Sequence, residues 1–128
     1  MDPKEYFERK CGLLRECVSL SEEILSNIAD IDTVNELLSA REEKIALLQE
    51  LDDARGKAAM ASLPDEQKAQ IDQTVALLLG LDRDAVKEIE SAQDELKRSM
   101  RTNTQTQKLV NYANKYVQTS GKLLDKRK

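Results

Sequence analysis

Carboxylates and two cysteines are the side chains of this sequence that we consider first for chemistry, and histidine is absent. The chain therefore lacks the commonest general base and the commonest transition-metal ligand. Carboxylates that occur as adjacent pairs point about 100° apart on a helix and belong to solvated faces. Such pairs include Glu22–Glu23, Glu42–Glu43 and Asp52–Asp53. A di-iron site in a helical bundle needs Glu-x-x-His pairs, which this sequence cannot form. We expect no enzymatic activity, no metal and no cofactor.

The positions of the two cysteines indicate a structural role rather than a reactive one. Cys11 and Cys17 lie six residues apart in one predicted helix, so roughly 9 Å separates them along its axis. That distance is too long for a disulfide bond. The sequence predicts two buried reduced thiols that pack as small apolar side chains, with a redox sensor as the alternative.

Helices must provide the elements that position any site. The chain of 128 residues is 40% hydrophobic, has only 3% aromatic residues, and contains four glycines and two prolines. Leu, Ile, Val and Ala must build the core, as in helices packed on helices, whereas a hairpin-rich β protein needs more turn residues. We predict a single all-α domain: an antiparallel bundle of three to four helices with one long C-terminal helix.

Two shorter helices are predicted in the first half of the chain, at about residues 3–28 and 33–54. Pro3 suits a first helical turn, and Asp30 or Asp32 can cap the second helix. Arg41 interrupts the apolar stripe of the second helix, and we expect its stem to pack while its guanidinium reaches water. Residues 55–62 lack an amphipathic face, so we predict a loop or a single loose turn there.

A long helix is predicted next, over residues 63–117, followed by a flexible tail at 121–128. Apolar or small residues recur at helical spacing from Ile71 to Val117. The spacing favours one helix through Gly80, although Gly80 could instead end a helix before Asp82 caps another. A straight helix of this length measures roughly 80 Å, so part of it should project from the bundle.

The long helix changes character downstream of Leu96, where residues 99–116 are rich in threonine, asparagine and glutamine. These residues are poor helix formers but can hydrogen-bond to the backbone of another chain. Two interpretations are open: an exposed helix end, or a polar-lined groove for a peptide or partner helix. Tyr112 and Tyr116 share one face of this segment and are either exposed anchors or packed back on the bundle.

Charge is unevenly distributed along the chain, whose net charge is −4. Residues 1–95 contain 11 basic and 23 acidic side chains, whereas residues 96–128 contain nine basic and one acidic side chain. Such an asymmetry is expected for a surface that binds an acidic partner, or for cations that stabilise the C-terminal end of a helix dipole. No nucleic-acid motif accompanies it. A mean hydropathy of −0.59 and a charged N-terminus predict neither a membrane span nor a signal peptide. We expect a cytosolic protein that does not bind nucleic acid and does not insert into a membrane.

The order of several motifs is the most specific feature of the sequence. LLSAREEKIALL occupies residues 37–48, LLGLDRD follows at 78–84, and a polar Asn/Gln segment and a tyrosine precede GKLLDKRK at 121–128. In this order the motifs resemble the small flagellar type III export chaperones of the FliT and FlgN kind. The resemblance covers nearly the whole chain.

The resemblance implies a cytosolic helical chaperone of bacterial flagellum biogenesis, monomeric or weakly dimeric. Such a protein binds the disordered C-terminal segment of an axial protein, either the filament cap or a hook–filament junction protein. It prevents premature assembly and delivers that protein to the export gate. The resemblance implies that Tyr112 or Tyr116 contacts the export gate. It also implies that the substrate protein is held by apolar and amide residues: Leu96, Met100, Asn103, Gln107 and Val110.

Two other functions are compatible with the sequence. One is a coiled-coil scaffold or adaptor that pairs through the long helix, whose apolar stripe from Ile71 to Leu96 spans fewer than four heptads. The other is a small regulator that docks through its basic end, with Lys97, Arg98, Arg101 and Lys108. No long apolar fourth helix is predicted that could mask a groove.

Overall fold

The structure is a computed structural model. It describes the backbone of residues 2–98 and 103–127 and the side chains of residues 2–95 and 107–120. The described chain is helical almost throughout and contains no β-strand, so the all-α class predicted from composition is confirmed. Its helices are α1 (Pro3–Ser26), α2 (Ile31–Leu51), a π-helical turn (Asp52–Gly56), α3 (Lys57–Ser62), α4 (Asp65–Arg98) and α5 (Asn103–Arg127).

Aspartate side chains cap the first two helices. Asp2 accepts a hydrogen bond from the backbone N–H of Glu5 at 2.8 Å, just before Pro3 begins α1. Asp30 accepts hydrogen bonds from the backbone N–H of Thr33 at 3.2 Å and from its hydroxyl at 2.7 Å. Such caps satisfy backbone donors that the helix itself leaves free. Of the two candidate caps of α2, Asp30 is therefore the one used.

Residues 55–62, predicted as a loop or a loose turn, are helical instead. Contacts with α1 explain the difference, because Asp52 accepts a hydrogen bond from Tyr6 Oη at 2.7 Å and pairs with Lys10 at 2.9 Å. Gly56 is buried against these groups, and a Cβ there would lie 3.6 Å from Tyr6 Oη. Tertiary contact thus orders a segment whose own sequence has no amphipathic face.

The prediction of one helix over residues 63–117 is wrong, because α4 and α5 are two helices that pack against each other. Ser120 Oγ of α5 donates a hydrogen bond to Asp82 Oδ2 of α4 at 3.0 Å, although 38 residues separate them. In one straight helix these residues would lie roughly 57 Å apart. Apolar residues keep helical spacing in both α4 and α5. Periodicity alone therefore does not reveal that one helix ends and another begins. The connection, residues 99–102, lies outside the described residues.

Gly80 and Gly121, in the second half of the chain, both lie inside helices. α4 passes through Gly80 without a break, as the spacing predicts. α5 passes through Gly121 and ends at Arg127, so the prediction of a flexible tail at 121–128 is wrong for its helical part. α5 is therefore a separate long helix, whereas the sequence predicts only the continuation of the preceding helix and a flexible tail.

The four long helices pack around two hydrophobic clusters. α1 contacts α2 and α4, while α5 contacts α4 and α2. The first cluster joins most of α1, the end of α2, α3 and the first half of α4: Tyr6, Cys11, Leu14, Cys17, Val18, Ile45, Leu48, Leu51, Ala59, Leu63, Ile71, Val75 and Leu78. The second cluster joins the end of α1, the first half of α2 and the second half of α4 to α5: Ile24, Val34, Leu38, Ala85, Ile89, Leu109, Tyr112 and Tyr116.

Candidate partner surface and buried polar layer

A buried polar layer separates the two hydrophobic clusters. On each of α1, α2 and α4 one polar residue lies between the members of the first cluster and those of the second: Ser21, Arg41 and Asp82. Thr119 and Ser120 of α5 complete the layer through hydrogen bonds. Arg41 is 0% exposed and Asp82 is 1% exposed, so an ion pair lies fully inside the bundle.

The Arg41 guanidinium donates hydrogen bonds to the three other long helices. It pairs with the Asp82 carboxylate of α4 and donates to Thr119 Oγ1 of α5. Its Nε donates to Ser21 Oγ of α1 at 3.3 Å. The prediction that this guanidinium reaches water is therefore wrong, because carboxylate and hydroxyl acceptors inside the bundle replace water.

The hydroxyl groups of the polar layer complete the hydrogen bonding of the ion pair. Ser21 Oγ donates to Asp82 Oδ1 at 3.1 Å, and Ser120 Oγ donates to Asp82 Oδ2 at 3.0 Å. Thr119 Oγ1 donates to a backbone carbonyl of α5 at 3.0 Å, which leaves its lone pairs for Arg41. Burial raises the pKa of Asp82, while the Arg41 charge and the hydroxyl donors act to lower it.

Tyr112 and Tyr116 are buried in the second cluster, so the interpretation in which they pack back on the bundle is confirmed. The Tyr116 ring centroid lies 5.1 Å from the Arg41 guanidinium carbon, within the range of a cation–π interaction. Neither tyrosine is exposed as an anchor. In this conformation neither side chain is accessible to an export gate.

The hydroxyl of Tyr116 is buried and finds no hydrogen-bond partner among the described residues. Because an unpaired buried hydroxyl costs about 1–3 kcal/mol, Tyr116→Phe should leave the free energy of unfolding unchanged or raise it by about 1 kcal/mol. Tyr6→Phe is the matched variant, since the Tyr6 hydroxyl donates to Asp52 at 2.7 Å. Its loss should lower that free energy by about 2 kcal/mol. Urea unfolding of both variants measures the difference, and equal losses would show that the Tyr116 hydroxyl is paired.

Cys11 and Cys17 are free and buried, as the sequence predicts. Burial raises the pKa of the Cys17 thiol to about 11 and that of the Cys11 thiol above its ordinary value. Because the thiolate is the reactive species, neither thiol of the folded chain should react with a chromogenic disulfide reagent at pH 8. Both should react at once in guanidinium chloride. A thiol that reacts rapidly in the folded chain at pH 8 would contradict this burial.

The residues predicted to hold a substrate protein lie only partly within the described structure. The side chains of Leu96, Met100 and Asn103 are outside the described residues. Gln107 is exposed, and its Nε2 donates to an asparagine side chain one turn along α5 at 3.2 Å. Val110 is half-buried. The two described members of the predicted site are thus both on α5 and both partly or fully open to solvent.

An outer stripe of α5 contains these two residues and extends them toward the C-terminus. It consists of Gln107, Val110, Asn114 and Val117, whose three- and four-residue steps place them on one face. Val117 is 64% exposed, more than any other large hydrophobic residue that the structure describes. Spacing alone relates Val117 to Val110, but it does not show that their face is turned to solvent. For this reason the sequence did not single out Val117.

Other kinds of site find no support in the part of the chain that the structure describes. Among the described side chains, those of residues 2–95 and 107–120, no group of three or more Cys, Asp or Glu is placed to hold a metal ion. None of the helices described is long and apolar enough to cross a lipid bilayer. In comparisons with known proteins, no family model, curated protein or solved structure matches this chain.

Proposed function

We propose that this chain is a non-enzymatic export chaperone of the flagellar type III kind, located in the cytosol. It binds the disordered C-terminal segment of a filament-cap or hook–filament junction protein, prevents premature assembly and delivers that protein to the export gate. The motif order of the sequence suggests this class. The outer stripe of α5 is the structural observation that supports it most directly.

The outer stripe combines two chemical features that a disordered partner requires. Val110 and Val117 offer apolar surface for anchoring side chains. Gln107 and Asn114, both exposed, offer amide donors and acceptors for a backbone that is not yet hydrogen-bonded. A segment that folds on binding must recover its ordering entropy from such contacts, which limits its affinity. A moderate, reversible affinity suits a carrier that must later release its cargo.

The bundle proposed for this chaperone is antiparallel within each helical hairpin. The first half of α1 contacts the π-helical turn that directly follows α2, as in the pair Lys10–Asp52. Arg41 and Ser21, closer to the turn between the same helices, are also in contact. The contact between Asp82 and Ser120 supports the same arrangement of α4 and α5.

The scaffold alternative receives less support from the packing. Its pairing surface would be the apolar stripe of α4 that begins at Ile71. From Ile71 to Ile89 this stripe is buried against other helices of the same chain. A partner coiled coil would have to compete with those contacts. The outer stripe of α5 needs no such competition.

Calorimetric titration tests the proposed function. The full chain is titrated with C-terminal fragments of filament-cap proteins and, separately, of hook–filament junction proteins. We expect saturable one-to-one binding to one of these two classes, with a negative heat-capacity change from apolar burial. Absence of binding to both classes, together with a stable dimer by light scattering, would reject the chaperone and favour the scaffold.

A further inference from the structure

Apolar packing alone does not determine how far α5 is shifted along its neighbours. The described buried residues of α5 are spaced three and four residues apart: Leu109, Tyr112, Tyr116 and Thr119. A shift of α5 by four residues, about 6 Å, would place Ala113, Tyr116, Ser120 and Leu123 at these four positions. Contacts other than apolar ones therefore help to select the observed axial position.

The polar layer makes two different hydrogen bonds with two consecutive residues of α5. Thr119 Oγ1 accepts from Arg41 of α2, whereas Ser120 Oγ donates to Asp82 of α4. Consecutive residues of a helix point about 100° apart, so an adjacent hydroxyl pair can reach two neighbouring helices at one level. Thr119–Ser120 is the only adjacent pair of Ser or Thr in the sequence of α5. The layer therefore matches one position of α5.

Other axial positions would leave the buried ion pair without these hydrogen bonds. A shift by four residues in one direction brings Leu123 and Leu124 to the level of the layer. A shift by three residues in the other direction brings Tyr116 and Val117 there. Neither Leu124 nor Val117 can replace the hydroxyl that donates to the carboxylate, and Leu123 cannot accept a hydrogen bond from the Arg41 guanidinium.

We infer that the polar layer fixes the axial register of α5. The Arg41–Asp82 pair accepts α5 only where Thr119 and Ser120 lie beside it. A single polar position has this role in coiled coils, where it selects one alignment at a cost in stability. The layer thus accounts for why α5, whose buried positions would also tolerate a shift of one turn, is held in one place.

Distances between two spin labels test this inference on the full chain. Cysteines introduced at the exposed positions Glu8 of α1, roughly 20 Å along the helix axis from the polar layer, and Gln118 of α5 take the labels, while the buried native thiols remain unlabelled. Pulsed electron spin resonance should give one narrow distance distribution. In Arg41→Met with Asp82→Leu, which replaces the ion pair with apolar side chains, we expect a folded protein with additional distances. Because the two labels are offset along the helix axis, a shift of α5 by one helical turn, about 5 Å, should change the distance between them by several ångströms.

Two outcomes of this experiment would overturn the inference. One is a folded apolar-layer variant with the same single narrow distribution as the native chain. The other is loss of the fold in that variant, since the layer would then be needed for stability rather than for register.

A second variant tests the α5 side of the layer while keeping the ion pair. Thr119→Val with Ser120→Ala removes only the two hydroxyls, and it should also add displaced distances. Thr74→Val with Ser91→Ala, the same chemical change on α4 outside the layer, should leave the narrow distribution unchanged. An unchanged distribution in the Thr119→Val, Ser120→Ala variant would overturn the inference.

Discussion

The Asp82→Leu variant is expected to have a free energy of unfolding about 3–5 kcal/mol below that of the native chain. Loss of the carboxylate leaves the Arg41 guanidinium buried at 0% exposure, with only neutral hydroxyl acceptors around it. An uncompensated charge in that position costs far more than a lost surface pair. Since domains are commonly stable by only about 5–15 kcal/mol, the variant should be close to unfolding. Urea denaturation followed by circular dichroism measures the loss.

The matched control is Asp84→Leu, the same substitution at an exposed position two residues along α4. It should change the free energy of unfolding by no more than about 0.5 kcal/mol. Arg41→Met combined with Asp82→Leu should lose less than Asp82→Leu alone, because no buried charge remains. If Asp82→Leu and Asp84→Leu cost the same, the ion pair is solvated and the polar layer described here is wrong.

Local features of the fold could be predicted from the sequence because neighbouring residues determine them. Pro3 and Asp30 mark the starts of the first two helices as expected. The ion pair could not be predicted in this way, because Arg41 and Asp82 are 41 residues apart and each alone resembles an ordinary surface charge. A usable indication existed: both residues occupy apolar positions of helical stripes, and their charges are opposite. Two such interruptions on different helices suggest a buried pair.

The reversal between α4 and α5 was missed for a related physical reason. Heptad spacing identifies each helix. It does not reveal where one helix ends and the next begins if the apolar positions keep the same spacing in both. The change of composition at residues 99–116 marked the right region, but both interpretations of it, an exposed helix end and a polar-lined groove, assume one continuous helix. The reversal brings Tyr112 and Tyr116 into the second cluster. It leaves Gln107 and Val110 on the open side of the same helix.

Substitution of both apolar members of the outer stripe should abolish binding of the substrate protein if the proposed function is correct. Val110→Asp with Val117→Asp places two charges where apolar anchors of the partner would be desolvated. We expect the dissociation constant measured by calorimetry to rise by roughly 100-fold or more, a change of about 2.8 kcal/mol typical of central interface residues. Helical content should be retained, because Val117 is 64% exposed and Val110 is only half-buried.

The control for this variant must carry the same change of charge and hydrophobicity elsewhere. Leu47→Asp with Leu77→Asp meets this need, since these leucines are 41% and 55% exposed on α2 and α4. Its affinity for the axial-protein fragment should stay within about twofold of the native value, as expected for surface positions outside an interface. An equal loss in both double variants would assign the effect to net charge. Native affinity in the α5 variant would remove the outer stripe from the binding surface and transfer the search to Leu96, near the end of α4, and to Met100 beyond it.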